Sequence, residues 1–386
     1  MDKRLIKNID SLFILVLFLL LAASIIILST AASNVVSSDP WYYVRSQSMW
    51  IVIGLGAAVF LALIDYEKWR TYRWWIYGFN LALLLAVVLF GVEVKGATRW
   101  IETPFGVNIQ PSEFAKIFII LTLADFLTDR KGKLNNVKDF IKPFLLIVPA
   151  VLLIFMQPDL GTSLVFIAIF IGMMFVAGAN PRKFGGLILG GALVIILALW
   201  LHFATSLPGW LQWAQEFPLP LKDYQLTRIT VFMNPEAAAS DEGYHVIQSI
   251  WAIGSGGLWG KGYQQGTQGQ LNFLPEHHTD FIFSVVGEEF GFIGAVTILF
   301  LYLIFLLRCL NIAAKSRDTY GMLVVAGVVV MYTFHILVNI GMTSGIMPVV
   351  GIPLPLISAG GSAMLSNMAA VGLVLSVNLR RRRPMF

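Results

Sequence analysis

From Ser11 to Thr30 the sequence SLFILVLFLLLAASIIILST contains no charged residue. About 20 such residues in a helix cross the hydrocarbon core of a bilayer, where each backbone polar group must be satisfied within the segment. Nine further runs of similar character follow. Spans are expected at 11–32, 48–65, 74–91, 112–128, 140–156, 160–179, 184–204, 281–307, 321–343 and 357–378. The chain is 57% hydrophobic and 13% charged, where a soluble domain carries about 25% charge. The expected fold class is therefore an all-α polytopic membrane protein with ten transmembrane helices. The run at 112–128 is the least apolar, because it holds Glu113, Lys116 and Asp125. The first run follows Lys3, Arg4 and Lys7 and resembles a signal peptide, with Ala31-Ala32-Ser33 as a cleavage-like site. It is too long for a usual signal core and many spans follow it, so it reads as a retained first helix.

An even number of spans puts both termini on one side. Lys3, Arg4 and Lys7, Lys68 to Arg73, Arg130 to Lys142, Arg182 and Lys183, Arg308 to Arg317, and Arg380 to Arg383 then share that side. The other side has only Arg45, Lys95, Arg99, Lys222, Arg228 and Lys261. Basic loops stay in the cytoplasm, so both termini are expected there, in a multi-pass cell-membrane protein. The net charge of +5 is mostly this signal. The basic residues are dispersed, so no nucleic-acid partner is expected. The chain reads as one membrane domain, 1–386, with a long outer loop at 205–280 between the seventh and eighth spans and a basic tail at 379–386. That loop is too long for a simple connector and holds Trp210, Trp213, Trp251 and Trp259.

Soluble-enzyme motifs fail. SGGLWGKG at 255–262 approaches a phosphate-binding loop, but its spacing is wrong and Lys261 is followed by Gly. No HExxH occurs, and the adjacent His277 and His278 are poorly placed to share a metal from one helix face. The single cysteine, Cys309, allows neither a disulfide within the chain nor a Cys-rich zinc site.

Ionisable residues at membrane depth are the stronger signal. In IQPSEFAK (109–116), Pro111 suits the first turn of a helix and Glu113 its positive end. Glu113 and Lys116 are i, i+3 and share a face. They form either a self-neutralising packing pair or a site for an anionic lipid-linked substrate. Asp280, in PEHHTDFIF, is either a helix cap, as is Thr279, or a general base in an outer cleft. Glu288 is roughly a quarter turn from Asp280 and Glu289 is on the opposite face, where it would act as polar glue between helices. Asp159 reads as the cap of the span after it. Arg99 and Arg228 either grip a phosphate or anchor at headgroup level. His202 and His335 read as satisfied core groups.

Several stretches together are similar to one family. They are GATRWIETPFGVNIQPSEFAK, QPDLGTSLVF, RITVFMNP, GYHVIQSIWAIGSGGLWGKGY, LNFLPEHHTDFIFSVVGEEFGFIG and NIGMTSGIMPVVGIPLPLISAGGSAMLSNM. The chain resembles the SEDS proteins (shape, elongation, division and sporulation), and their RodA branch more than FtsW. One departure is Ala359, where the family often has Tyr before Gly-Gly.

The resemblance implies a peptidoglycan glycosyltransferase that polymerises lipid II on the outer side of the cytoplasmic membrane during cell elongation. It implies a class B penicillin-binding protein and elongation-complex membrane proteins as partners. It implies Asp280 as the catalytic residue, with Glu113, Lys116, Arg99, Trp100 and Lys261 in the substrate site and Arg228 as a further phosphate contact. The donor arrives activated, so no nucleotide is expected. A divalent cation, Mg or Mn, is the one cofactor the chemistry leaves room for, with Asp280 and Glu113 the only ligands on offer. A lipid II flippase and a non-catalytic scaffold are the alternatives. The flippase would want charged residues at several depths, and the scaffold would tolerate loss of Asp280.

Overall fold

A computed structural model describes residues 8–32, 39–94, 97–103, 106, 108–203, 223–235, 242–267 and 277–381. Lys3, Arg4, Lys7, Lys95, Trp210, Trp213, Lys222, Glu276, Arg382 and Arg383, with much of the 205–280 loop, lie outside the described residues.

The chain is an all-α membrane bundle with one small sheet. The helices are α1 (Ser11–Ala31), α2 (Tyr42–Leu63), the single turn α3 (Lys68–Thr71) and α4 (Arg73–Phe90). Strands β1 (Val92–Val94), β2 (Ala97–Glu102) and β3 (Asn108–Ile109) follow. Then come α5 (Pro111–Thr128), α6 (Val137–Met156), α7 (Leu160–Val176), α8 (Pro181–Phe203), α9 (Asp223–Met233), α10 (Glu242–Ser255), α11 (Ile282–Ala314), α12 (Thr319–Thr343) and α13 (Gly361–Leu379). Each segment expected to span is helical. Among the described residues, eight helices are long and apolar enough to cross a membrane. The other two are α7, which is apolar but shorter, and α5, which carries the three charges noted above.

Local chemistry sets the helix ends. Asp10 accepts from Phe13 N at 3.0 Å to start α1, and Asp318 accepts from Gly321 N at 2.8 Å to start α12. Asn136 and Asp139 form a capping box at α6. The dense stretch after α4 forms an antiparallel sheet in the order β1-β2-β3, in which Trp100 pairs with Val92.

Burial ranks the helices. In the most apolar windows of α12 and α13, 72% of residues are buried, against 6% in α8. α12 and α13 are the centre, and α8 is a peripheral helix facing outward. α13 lies along α2 at a seam of small residues. A Cβ on Gly54 would fall 2.7 Å from Met368 Cγ, and one on Gly372 would fall 2.8 Å from Ala58 Cα. Lipid gives helices no hydrophobic drive to associate, so close backbone approach of this kind is what holds them.

The expected uninterrupted eighth span is instead broken. Within α11, Gly291 has φ 64° and ψ −162°. The break frees backbone groups that lipid cannot satisfy. Residues 256–262 satisfy them. Lys261 N donates to Glu288 O at 2.9 Å and Gly262 N to Glu289 O at 3.0 Å, while Phe292 N donates to Gly257 O at 2.9 Å and Ile293 N to Leu258 O at 3.2 Å. This docking also explains the glycines of SGGLWGKG. A Cβ on Gly256 would fall 1.9 Å from Gly287 O, and one on Gly260 would fall 2.1 Å from Glu289 O.

Candidate active site

Asp280 lies in the turns just before α11 and is partly exposed. The N-cap position of α11 is Phe281, with no side-chain cap bond. The backbone here is held by other elements instead. Asn339 Nδ2, on α12, donates to Asp280 O and to Ile352 O, both at 2.8 Å. Ser358 Oγ donates to Thr279 O at 2.6 Å and accepts from Leu354 N at 2.8 Å. Ala359 N donates to His278 O at 3.0 Å. The 350–359 segment therefore forms a wall beside Asp280. At Gly351, φ +70°, a Cβ would meet Asp280 Oδ2 at 3.4 Å. The bond at Ala359 uses only its backbone, so the side chain that differs from the family pattern takes no part in it. His278 is buried and its ring tilts against Tyr43, with centroids 4.4 Å apart.

The acid–lysine pair of α5 is formed and buried. Lys116 Nζ lies 2.8 Å from Glu113 Oε1, with side-chain exposures of 3% and 7%. The pair is not closed on itself. Lys116 Nζ also lies 3.0 Å from His335 Nε2, and Ser366 Oγ donates to Glu113 Oε2 at 3.1 Å. His335 Nδ1 is 2.7 Å from Met331 O, so that nitrogen carries the proton and Nε2 accepts from the lysine. His335 is thus the satisfied core group expected of it, with Lys116 and the Met331 carbonyl as its partners. It lies four residues from Asn339 on α12, so one face of one helix carries both the acid–lysine cluster and the Asp280 backbone.

α13 anchors the start of α5 in the same way. Ser362 Oγ accepts from Gln110 N at 3.1 Å, one turn before Ser366 reaches Glu113. Gln110 Nε2 donates to Asp159 Oδ2 at 3.2 Å. Asp159 caps α7, accepting from Thr162 N at 3.0 Å, as its sequence position suggests. Arg99 joins this corner. It donates to Pro158 O and lies 3.8 Å from Asp159 Oδ1, while its Nε is buried with no acceptor among the described residues.

Lys261 is placed elsewhere, at the α11 break. Its Nζ lies 2.6 Å from Glu288 Oε1 and donates to Thr267 Oγ1 at 2.8 Å. Glu288 is buried and also accepts from Thr267 N at 2.8 Å, so it faces this loop. Glu289 bonds Thr30 of α1 and the backbone at Gln264 and Gly266, which makes it the interhelical tie expected of it. Arg228 is half-buried on α9, beside α10. Trp100 is half-buried on β2.

Among the described residues, Glu113 is poorly set up to hold the divalent cation. Among the described residues no three His, Cys, Asp or Glu side chains gather. Both oxygens of Glu113 already face hydrogen-bond donors, and one of these is the ammonium of Lys116, which would repel a metal.

The model of the cell cycle protein family FTSW_RODA_SPOVE matches residues 10–383. The chain belongs to the FtsW/RodA/SpoVE family. Among its relatives, the peptidoglycan glycosyltransferase MrdB of Escherichia coli K12 is 40% identical over 86% of this chain and 84% of that one. The peptidoglycan glycosyltransferase RodA of Treponema pallidum is 36% identical over 87% of this chain and 89% of that one. Among solved structures, one chain comes from a peptidoglycan synthase complex that coordinates polymerization and crosslinking. It superposes with a TM-score of 0.76 at 30% identity, over 96% of this chain and 97% of that one. RodA of Thermus thermophilus, a rod shape determining protein, superposes with a TM-score of 0.68 at 28% identity, over 97% and 98%. This member of the FtsW/RodA/SpoVE family therefore has relatives, matched over more than four fifths of their length, that are named enzymes.

Proposed function

We infer that this chain is a peptidoglycan glycosyltransferase that polymerises lipid II into glycan strands on the outer side of the cytoplasmic membrane, for cell elongation and rod shape. The observation that carries this reading is the match, over more than four fifths of both chains, to named peptidoglycan glycosyltransferases. The held backbone of Asp280 supports the choice of its carboxylate as the reacting group.

In the reaction, the 4-hydroxyl of an acceptor GlcNAc attacks the anomeric carbon of a donor MurNAc, and undecaprenyl pyrophosphate leaves. Asp280 takes the hydroxyl proton as the new bond forms. Asn339 holds its carbonyl, and Ser358 and Ala359 hold those of Thr279 and His278 just before it, so the base is positioned before substrate arrives. Positive charge is needed at the leaving pyrophosphate. Arg99 suits this task because its Nε is an unused buried donor. Lys116 belongs to the same substrate site, with Glu113 and His335 fixing its position. Trp100 neighbours Arg99 in sequence and would line the sugar path. Lys261 and Arg228 would assist from the outer loop, and the bond of Lys261 to Glu288 makes loop placement part of its role.

The finer architecture belongs to the same reading. It comprises ten spans in a single membrane domain, 1–386, with both termini cytoplasmic and the long loop at 205–280 outside. The partner is a class B penicillin-binding protein within the elongation complex. The chain from the synthase complex supports that choice.

The test uses the full chain purified with its candidate penicillin-binding partner and supplied with lipid II. Moenomycin excludes classical glycosyltransferase contamination. Polymer from wild type and none from a folded, partner-binding Asp280→Asn supports the reading. Full activity in Asp280→Asn moves the chemistry away from that residue. No polymer from wild type returns the flippase and scaffold to consideration.

A further inference from the structure

At the other end of α4 and α5, the described residues surround a cavity of about 390 Å³ lined by Arg73, Trp74, Phe126, Asp129, Arg130 and Lys133. The basic residues here carry the topology signal of the sequence, and nothing in the polymerase mechanism uses them.

The charges here fall into two sets. The first is balanced. Arg73 NH1 lies 2.7 Å from Asp125 Oδ2 and 3.0 Å from Asp129 Oδ2, and Arg70 Nε lies 2.6 Å from Asp125 Oδ1. Two guanidiniums thus meet two carboxylates, and only one nitrogen of Arg73 is used. The second set is Arg130 and Lys133, and neither makes an ion pair among the described residues. Arg130 is nevertheless held in place. Its guanidinium carbon lies 3.6 Å from the Phe126 ring centroid, and its NH1 donates to Phe126 O at 3.1 Å. The pocket therefore presents a fixed guanidinium, an exposed ammonium and the remaining donors of Arg73, an excess of positive charge around a half-open space.

Its height identifies the occupant. Trp74 lines the cavity and is 54% exposed, and its neighbours Tyr72 and Trp75 are 56% and 81% exposed. Such aromatic side chains collect at the headgroup level of a bilayer. A basic pocket between helices at that level meets lipid phosphates rather than the aqueous phase.

We propose that this cavity holds the phosphodiester of an anionic phospholipid between Arg73, Arg130 and Lys133. The proposal does not depend on the polymerase reading. Its test reads lipid binding and not polymer, so the two fail separately.

The full-length chain is purified in detergent, and binding of phosphatidylglycerol and phosphatidylcholine is measured by native mass spectrometry. Two double variants are compared, Arg130→Ala/Lys133→Ala in the cavity and Lys138→Ala/Lys142→Ala outside it. Both remove the same charge. If the alanines unfold the chain, Arg130→Gln/Lys133→Gln replaces them. The expected result is selective retention of phosphatidylglycerol by wild type, an affinity about thirtyfold weaker in the cavity variant, and no change in the outer variant. Equal loss in both variants would reduce the effect to general surface charge and overturn the proposal. So would equal retention of phosphatidylcholine, an unaltered cavity variant, or displacement by glycerol phosphate, which would mark a site for free phosphate.

Discussion

Asn339 carries Asp280 by its backbone: one buried amide nitrogen on α12 donates to Asp280 O and to Ile352 O, both at 2.8 Å. The residue joins the segment that holds the candidate base to the wall beside it. Replacing it with Leu leaves two carbonyls without a donor. Each costs about 1–3 kcal/mol if it stays buried and unpaired. Asn339→Leu should therefore lower the thermal midpoint of the purified chain and reduce polymer formation even at saturating lipid II. An unchanged midpoint together with unchanged activity would remove Asn339 from this role.

Lys116 and Glu113 should couple strongly. Removing one partner of a buried ion pair costs about 3–5 kcal/mol, because the other charge stays behind. Lys116→Met alone and Glu113→Gln alone should each destabilise the chain. The double variant should destabilise it by much less than the sum. A midpoint near wild type in the double variant, with no polymer, would show that the pair serves substrate as well as packing. Additive losses would contradict the coupling.

The glycines at the α11 break should divide sharply. Gly260 has φ +80° and faces Glu289 O, so Gly260→Ala meets about 1–3 kcal/mol of backbone strain before any clash. Gly254 has open space around its missing Cβ, so Gly254→Ala should be close to neutral. Thermal unfolding of both variants, with hydrogen exchange at 288–293, checks the contrast. Equal behaviour would mean that the loop does not satisfy the break.

The Asp10–Arg308 pair should give a pH signature. Burial works against the charge of Asp10, but bonds from Arg308 and from Phe13 N, with the nearby charges of Arg308 and Arg381, outweigh it and hold the carboxyl below its ordinary value of 3.8. A depressed carboxyl contributes its full stability above the unfolded value and loses it as pH falls through the folded value. The midpoint difference between wild type and Asp10→Asn should be present at neutral pH and shrink in acid below that ordinary value. A difference that grew on acidification would reverse the sign and refute the assignment.

The helices were legible because the bilayer imposes one rule on every span: an apolar run of sufficient length. Pro111, Glu113 and Lys116 were legible for a local reason, since i, i+3 spacing is fixed by the helix that contains them. The break at Gly291 was not, because glycine is common in membrane helices and the loop that satisfies the break comes from another part of the chain. The same applies to His335 and Asn339. Their i, i+4 spacing in HILVNIG could have marked a polar face, but their partners come from α5 and from the turns before α11. Asp280 as a helix cap was a fair local reading. The long-range bonds to Asn339, Ser358 and Ala359 organise the turn differently.

The seam between α2 and α13 also bears on synthesis. α2 packs against α13, and residues at the helix ends are clasped as well, since Asn8 donates to Leu379 O at 2.9 Å and Arg380 to Leu63 O at 2.7 Å. A nascent chain leaving the ribosome must therefore hold α2 in the membrane with its small-residue face unmatched until α13 has been made. Loss of α13 to an early stop codon would be more than a trimmed segment. It would leave an opened bundle for membrane quality control to remove.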